Sequence, residues 1–87
     1  MKVELHKPFI KIFRKRFMHT SPIKKKFFER TKLFEVNPQN PILHDHALKG
    51  NKDDLRSFSI TGDIRVVYRI EDAIAYFIDI GSHNQVY

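Results

Sequence analysis

The sequence predicts an α+β domain: a mostly antiparallel sheet of about four strands with two N-terminal helices packed on one face, in the order β-α-α-β-β-β. Three observations predict it. Apolar residues recur at helical spacing between Phe9 and Phe34, they recur at every second position from Arg56 onward, and a proline-rich loop separates the two regimes.

MKVELHK alternates Val3 and Leu5 with Lys2, Glu4 and His6, which suits a short strand with one buried face. Pro8 then marks a helix start, because proline fits the first turn, where its missing N–H is not needed. Phe9, Ile12, Phe13 and Phe17 form the apolar stripe of a helix over residues 8 to 18, with Lys11, Arg14 and Lys15 mostly elsewhere on the wheel. Ser21 and Pro22 repeat the start signal with a good N-cap, and Ile23, Phe27, Thr31 and Phe34 trace a second stripe to about Glu35. NPQNP, residues 37 to 41, stops that helix, and HDHALKGNKD continues the loop with Gly50 as a turn. RSFSI (residues 56 to 60), IRVVYRI (64 to 70) and IAYFIDI (74 to 80) are strands of a meander, joined by TGD and EDA turns.

Strand parity sorts the faces. Ile64, Val66, Tyr68 and Ile70 share one side and Arg65, Val67 and Arg69 the other; Ser57, Ser59 and Thr61 lie opposite Phe58 and Ile60. On the last strand Ile74, Tyr76, Ile78 and Ile80 belong inside, which sends Phe77 and Asp79 to the polar side, and continued alternation carries His83 there as well. With helices on only one face, the other is expected to stay open. Arginines, hydroxyls and an exposed phenylalanine there suit an RNA strand.

Length and composition set bounds. A chain of 87 residues makes one domain with a shallow core. No cysteine is present, so disulfides and thiolate metal sites are excluded, and the chemistry fits a reducing cytoplasm. MKVELHK is charged where a signal peptide is apolar, and no run is long enough to span a bilayer, so a soluble cytoplasmic protein without membrane association is expected. The net charge of +6 is lopsided: thirteen Lys and Arg against four Asp and Glu through Lys52 give +9, and three against six from Asp53 onward give −3. Such a basic half attracts polyanions, although solvated helix faces carry lysines too.

Candidate chemistry gathers at three places. GSHNQVY, residues 81 to 87, offers His83 and Tyr87, with a plain tail as the alternative. HDH, residues 44 to 46, puts two histidines on one side of an extended segment; that spacing also occurs among metal ligands, but without a matched ligand pattern proton transfer by one histidine fits better. Asp63 is a turn former and Arg65 a strand charge, yet a guanidinium on an open sheet face is a donor fork suited to phosphate.

DHALKG, DLRSFSITGDIRVVYRIED and IGSHNQVY, in that order, resemble the RelE/ParE superfamily of bacterial toxins, most closely its YafQ-like branch. The resemblance spans residues 1 to 87 as a single RelE-like toxin domain and is most specific from Asp45 to Tyr87. It implies a toxin of a type II toxin-antitoxin system that cleaves messenger RNA in the ribosomal A site, beside ribosomal RNA, and is neutralised by a cognate antitoxin. The RNA's own 2′-hydroxyl attacks the adjacent phosphate, with no cofactor and no metal. His46, Asp63 and His83 stand at the catalytic positions, with an aromatic at Tyr87; other RelE-like members carry arginine where Arg65 stands. His83 is then the acid, Asp63 or His46 the base, Arg65 the electrostatic clamp and Tyr87 a ring stacked on a base. Arg69, Lys49, Arg56 and Phe77 are expected to bind the RNA.

Two positions depart from the pattern. Ser59 replaces a further histidine and Ile64 replaces tryptophan, and Ser59 cannot carry a proton at neutral pH. The alternatives are a ParE-like inhibitor of DNA gyrase, which needs no acid, base and phosphate clamp on one face, and a catalytically weak module that binds antitoxin or RNA.

Overall fold

Phenylalanines at helical spacing decide where the core of this chain lies. The computed structural model describes residues 1–17, 19, 21–48 and 54–86, the side chain of Ser21 apart. In chain order the elements are β1 (Lys2–Leu5), α1 (Lys7–Phe17), α2 (Ser21–Val36), a 3-10 turn (Pro41–Leu43), β2 (His46–Ala47), β3 (Leu55–Ser59), β4 (Ile64–Glu71), β5 (Ile74–Ser82) and α3 (His83–Val86). Among the described residues five strands form one sheet in the order β1-β5-β4-β3-β2. Only β1 and β5 pair in parallel among the described residues; the other pairings are antiparallel.

Both helices lie on one face of the sheet, as the mixed α+β pattern requires. They bring Phe9, Phe17, Phe27 and Phe34 against Phe58, Tyr68 and Phe77. The Phe34 ring stacks on Phe58 with centroids 4.7 Å apart and meets Tyr68 edge-on at 4.8 Å. Each phenylalanine so enclosed contributes about 1.5–3 kcal/mol of burial free energy, which is how a short chain without disulfides holds its helices down.

Three expectations need correction. The sheet has a fifth strand because His46 and Ala47, read as loop, pair with Ser57 and Arg56. Phe77 lies in the core, fully buried, and not on the polar face. The reason is a bulge: Val67 opposes Asp79 but Tyr68 opposes Phe77, so Ile78 is an extra residue and strict alternation fails there. β5 runs through Gly81 to Ser82. A Cβ at Gly81 would stand 2.6 Å from Arg16 Nη1 and 2.7 Å from Gln85 Oε1, so the missing side chain admits Arg16, whose Nη1 donates to the Ile80 carbonyl at 2.7 Å. Finally, the second sheet face is partly covered: Leu48, Val67 and Val86 form a small core there with Leu55 and Ile78 packed against it.

Candidate active site

The segment before β2 is built to turn sharply and then hold still. Asn40 accepts from the Ile42 N–H at 3.0 Å and caps the 3-10 turn, Leu43 is fully buried, and His44 adopts a left-handed conformation with φ 46°. From His44 the chain is extended, so side chains alternate. Asp45 faces the helix side, where the Tyr68 hydroxyl donates to Oδ2 and Arg56 donates to Oδ1 from Nε at 2.8 Å, with its Nη2 at 2.7 Å from the same oxygen. Burial, reinforced by the bond to Asp45, pushes the Tyr68 phenol well above its ordinary value. For Arg56 burial alone would lower the value, but the bonds to Asp45 and Tyr68 outweigh it and raise it.

His46 faces the other way. Arg65 reaches it across β3: Nε donates to Ser57 Oγ at 2.9 Å, and Nη2 donates to the His44 carbonyl at 2.7 Å and approaches His46 Nδ1 at 3.1 Å. His46 Nδ1 also lies 3.2 Å from the His44 carbonyl. A guanidinium only donates and a carbonyl only accepts, so the two contacts select opposite tautomers of the ring. Where Arg65 is the partner, the ring proton sits on Nε2.

Asp63 and His83 form a second pair. In the turn between β3 and β4, Thr61 Oγ1 accepts from the backbone N–H groups of Asp63 at 3.3 Å and Ile64 at 3.0 Å. Asp63 Oδ1 in turn accepts from the His83 backbone N–H at 3.4 Å. Ser82 begins α3 with half of a capping box, its N–H donating to Gln85 Oε1 at 2.8 Å. The register sets the pairs side by side, since Ile64 opposes Ser82 and Arg65 opposes Gly81.

The structure therefore joins Arg65 to His46 and Asp63 to His83, all at the end of the sheet where β4 begins. Tyr87 and Lys49 lie outside the described residues, as does the Gly50 turn. Arg56 shares the helix side with Tyr68 and is engaged by Asp45, while Arg69 lies on the second face with its Nε 3.5 Å from Glu71. Ser59 is buried and its hydroxyl donates to the Thr61 carbonyl, and Ile64 packs against the main core. Sequence reasoning missed Asp45, Ser57, Arg16 and Gln85. The Ser82-x-x-Gln85 spacing was the available signal for the last of these, because it is the sequence form of a capping box. Among the described residues no group of three or more His, Asp or Glu is arranged to hold a metal ion.

This fold is shared with known toxins. A copper-bound mutant toxin from Helicobacter pylori is 28% identical over 100% of this chain and 99% of its own, with a TM-score of 0.75. A YoeB/ParE toxin from Agrobacterium tumefaciens is 18% identical over 95% and 99%, with a TM-score of 0.77. The YafQ chain of the Escherichia coli DinJ-YafQ toxin-antitoxin complex is 21% identical over 99% and 96%, with a TM-score of 0.68. No curated protein matches significantly. These neighbours define the fold, the α+β architecture of RelE-like toxins. The family model for YafQ, a bacterial toxin of type II toxin-antitoxin systems, matches residues 1–87, and the chain belongs to that family.

Proposed function

We propose that this YafQ-family toxin is a ribosome-dependent messenger RNA endoribonuclease acting by 2′-hydroxyl attack. The observation that carries the reading is the Arg65 guanidinium held against His46, beside the Asp63 carboxylate that accepts from the His83 backbone N–H. Cleavage needs a proton acceptor, a proton donor and a cation at one phosphate. Asp63, exposed, takes the proton of the 2′-hydroxyl as O2′ bonds to phosphorus. The P–O5′ bond breaks, and His83 delivers a proton to O5′, leaving a 2′,3′-cyclic phosphate and a 5′-hydroxyl. Arg65 offsets the charge that builds on the phosphate oxygens. In the tautomer selected by Arg65, His46 bears its proton on Nε2 and acts as a donor, so the base role falls to Asp63. Tyr87 stacks on a neighbouring base.

A cognate antitoxin completes the proposal. Between α1 and α2 lies a groove of about 190 Å³ lined by Leu5, Ile10, Phe13 and Phe28 with Arg14 and Lys24. Phe28 is 58% exposed and Leu5 42%. An acidic amphipathic segment matches both the apolar floor and the cations, and its affinity should fall as salt rises.

The test is expression in bacteria with and without the antitoxin, read by growth and by mapping messenger 5′-ends. New codon-phased cuts that vanish in His83→Ala support the reading. Growth arrest with intact messages and an induced DNA-damage response overturns it in favour of gyrase inhibition. Antitoxin binding without arrest or cuts, the outcome that Ser59 would explain, leaves a binding module.

A further inference from the structure

We propose that Asp45, held by Tyr68 and Arg56, is a positioning residue that fixes His46 and Arg65 in their mutual geometry; this rests on the catalytic reading above. β2 is a two-residue edge strand, too short for its own ladder to set the rotation of the segment about its axis. What sets it is a grip from both faces. Tyr68 and Arg65 stand three positions apart on β4, so they project to opposite sides of the sheet. Each reaches across β3 to the same stretch: Tyr68 to Asp45 on the helix side, Arg65 to the His44 carbonyl and the His46 ring on the other.

The helix-side half of that grip is the rigid one. Tyr68 is 1% exposed within the aromatic core, and the Asp45 side chain is 7% exposed. Its carboxylate has both oxygens occupied, Oδ2 by the phenol and Oδ1 by Arg56. The other half is less constrained, because His46 Nδ1 has two competing partners. Releasing Asp45 lets the strand roll, which lengthens the Arg65 contact and frees the ring to exchange tautomers. Asp45 itself touches no substrate in this arrangement, since it points away from the face that carries Arg65.

Tyr68→Phe is the cleanest probe, since it keeps the core ring and removes only the hydroxyl; Asp45→Asn removes the charge at nearly constant shape. Both should fold, with single-turnover cleavage about 10-fold slower and the KM for RNA unchanged, because misplacement of a catalytic group slows the chemical step. In the same variants the His46 ring nitrogens, read by ¹⁵N NMR, should move from an acceptor Nδ1 towards a mixture of tautomers. A wild-type His46 spectrum in both variants overturns the proposal, as does a rate loss that only follows the loss of folded protein. If the unmodified toxin cleaves no RNA, the catalytic reading falls, and the His46 spectra still decide whether Asp45 sets the ring.

Discussion

Arg65 Nη2 stands 3.1 Å from His46 Nδ1, so a permanent cation from the middle of the sheet bears directly on the ring at its edge. The same guanidinium holds Ser57 Oγ through Nε and the His44 carbonyl through Nη2, and these bonds fix its plane. A lysine ammonium has no such fork. Arg65→Ala should therefore lower cleavage by about 10²–10³-fold, as loss of a charge-stabilising donor does elsewhere, and Arg65→Lys should recover little of it. Single-turnover rates on ribosome-bound message check this, with circular dichroism confirming the fold; full rescue by lysine would reduce Arg65 to a point charge.

The Asp63–His83 contact depends on a helix of one turn. α3 is held by the Gln85 side chain at its start and by Val86, 5% exposed, at its end. Gln85→Ala should cost about 1 kcal/mol, the usual scale of a lost cap, and slow cleavage as His83 frays. Val86→Ala should also destabilise, because Val86 packs with Leu48 and Val67. Urea midpoints paired with rates on the same samples test both; a stable Gln85→Ala variant of full activity would mean that the strand alone places His83.

The helices and the meander were legible because each rests on one periodic signal that nothing interrupts. Phe77 was not, because a single extra residue at Ile78 exchanges the faces of β5 and leaves no mark in the hydrophobic pattern. His46, Asp63, Arg65 and His83 could be named from residue type and resemblance, but their pairing could not, since it passes through the register of β4 against β5 and through the Arg65 side chain crossing β3. Arg56 shows the same limit from the other side. A strand arginine in a basic protein invites an RNA role, yet its parity places it with Tyr68 and its charge is engaged by Asp45.

Tyr68 gives the fold a dependence on alkaline pH. Its phenol is raised above the ordinary value of 10.0, chiefly by burial, so in the folded protein it stays protonated where the unfolded chain has lost the proton. Below about pH 10 both states hold the proton and stability is unaffected; above it the unfolded state ionises first, and stability falls as pH rises towards the folded value. Thermal melts of the unmodified protein and of Tyr68→Phe between about pH 8 and pH 11.5 should diverge only above about pH 10, the variant declining less. Parallel curves would assign the alkaline loss to lysines and to other tyrosines.

The turn between β4 and β5 holds two residues in the left-handed region. Asp72 and Ala73 have φ 52° and φ 64°, the two left-handed residues of a tight hairpin. Asp72 eases its own conformation through a short polar side chain, but Ala73 has only a methyl group that crowds the backbone, at about 1–2 kcal/mol. Glycine removes that crowding and gives back about 0.5–1 kcal/mol in unfolded-state entropy. Ala73→Gly should therefore stabilise the toxin by about 0.5–1 kcal/mol, seen as a higher urea midpoint at unchanged slope. The turn caps the end of β4 remote from Arg65, so cleavage and antitoxin affinity should match the unmodified protein. A destabilised Ala73→Gly would mean that the methyl group makes a contact worth more than the strain it causes.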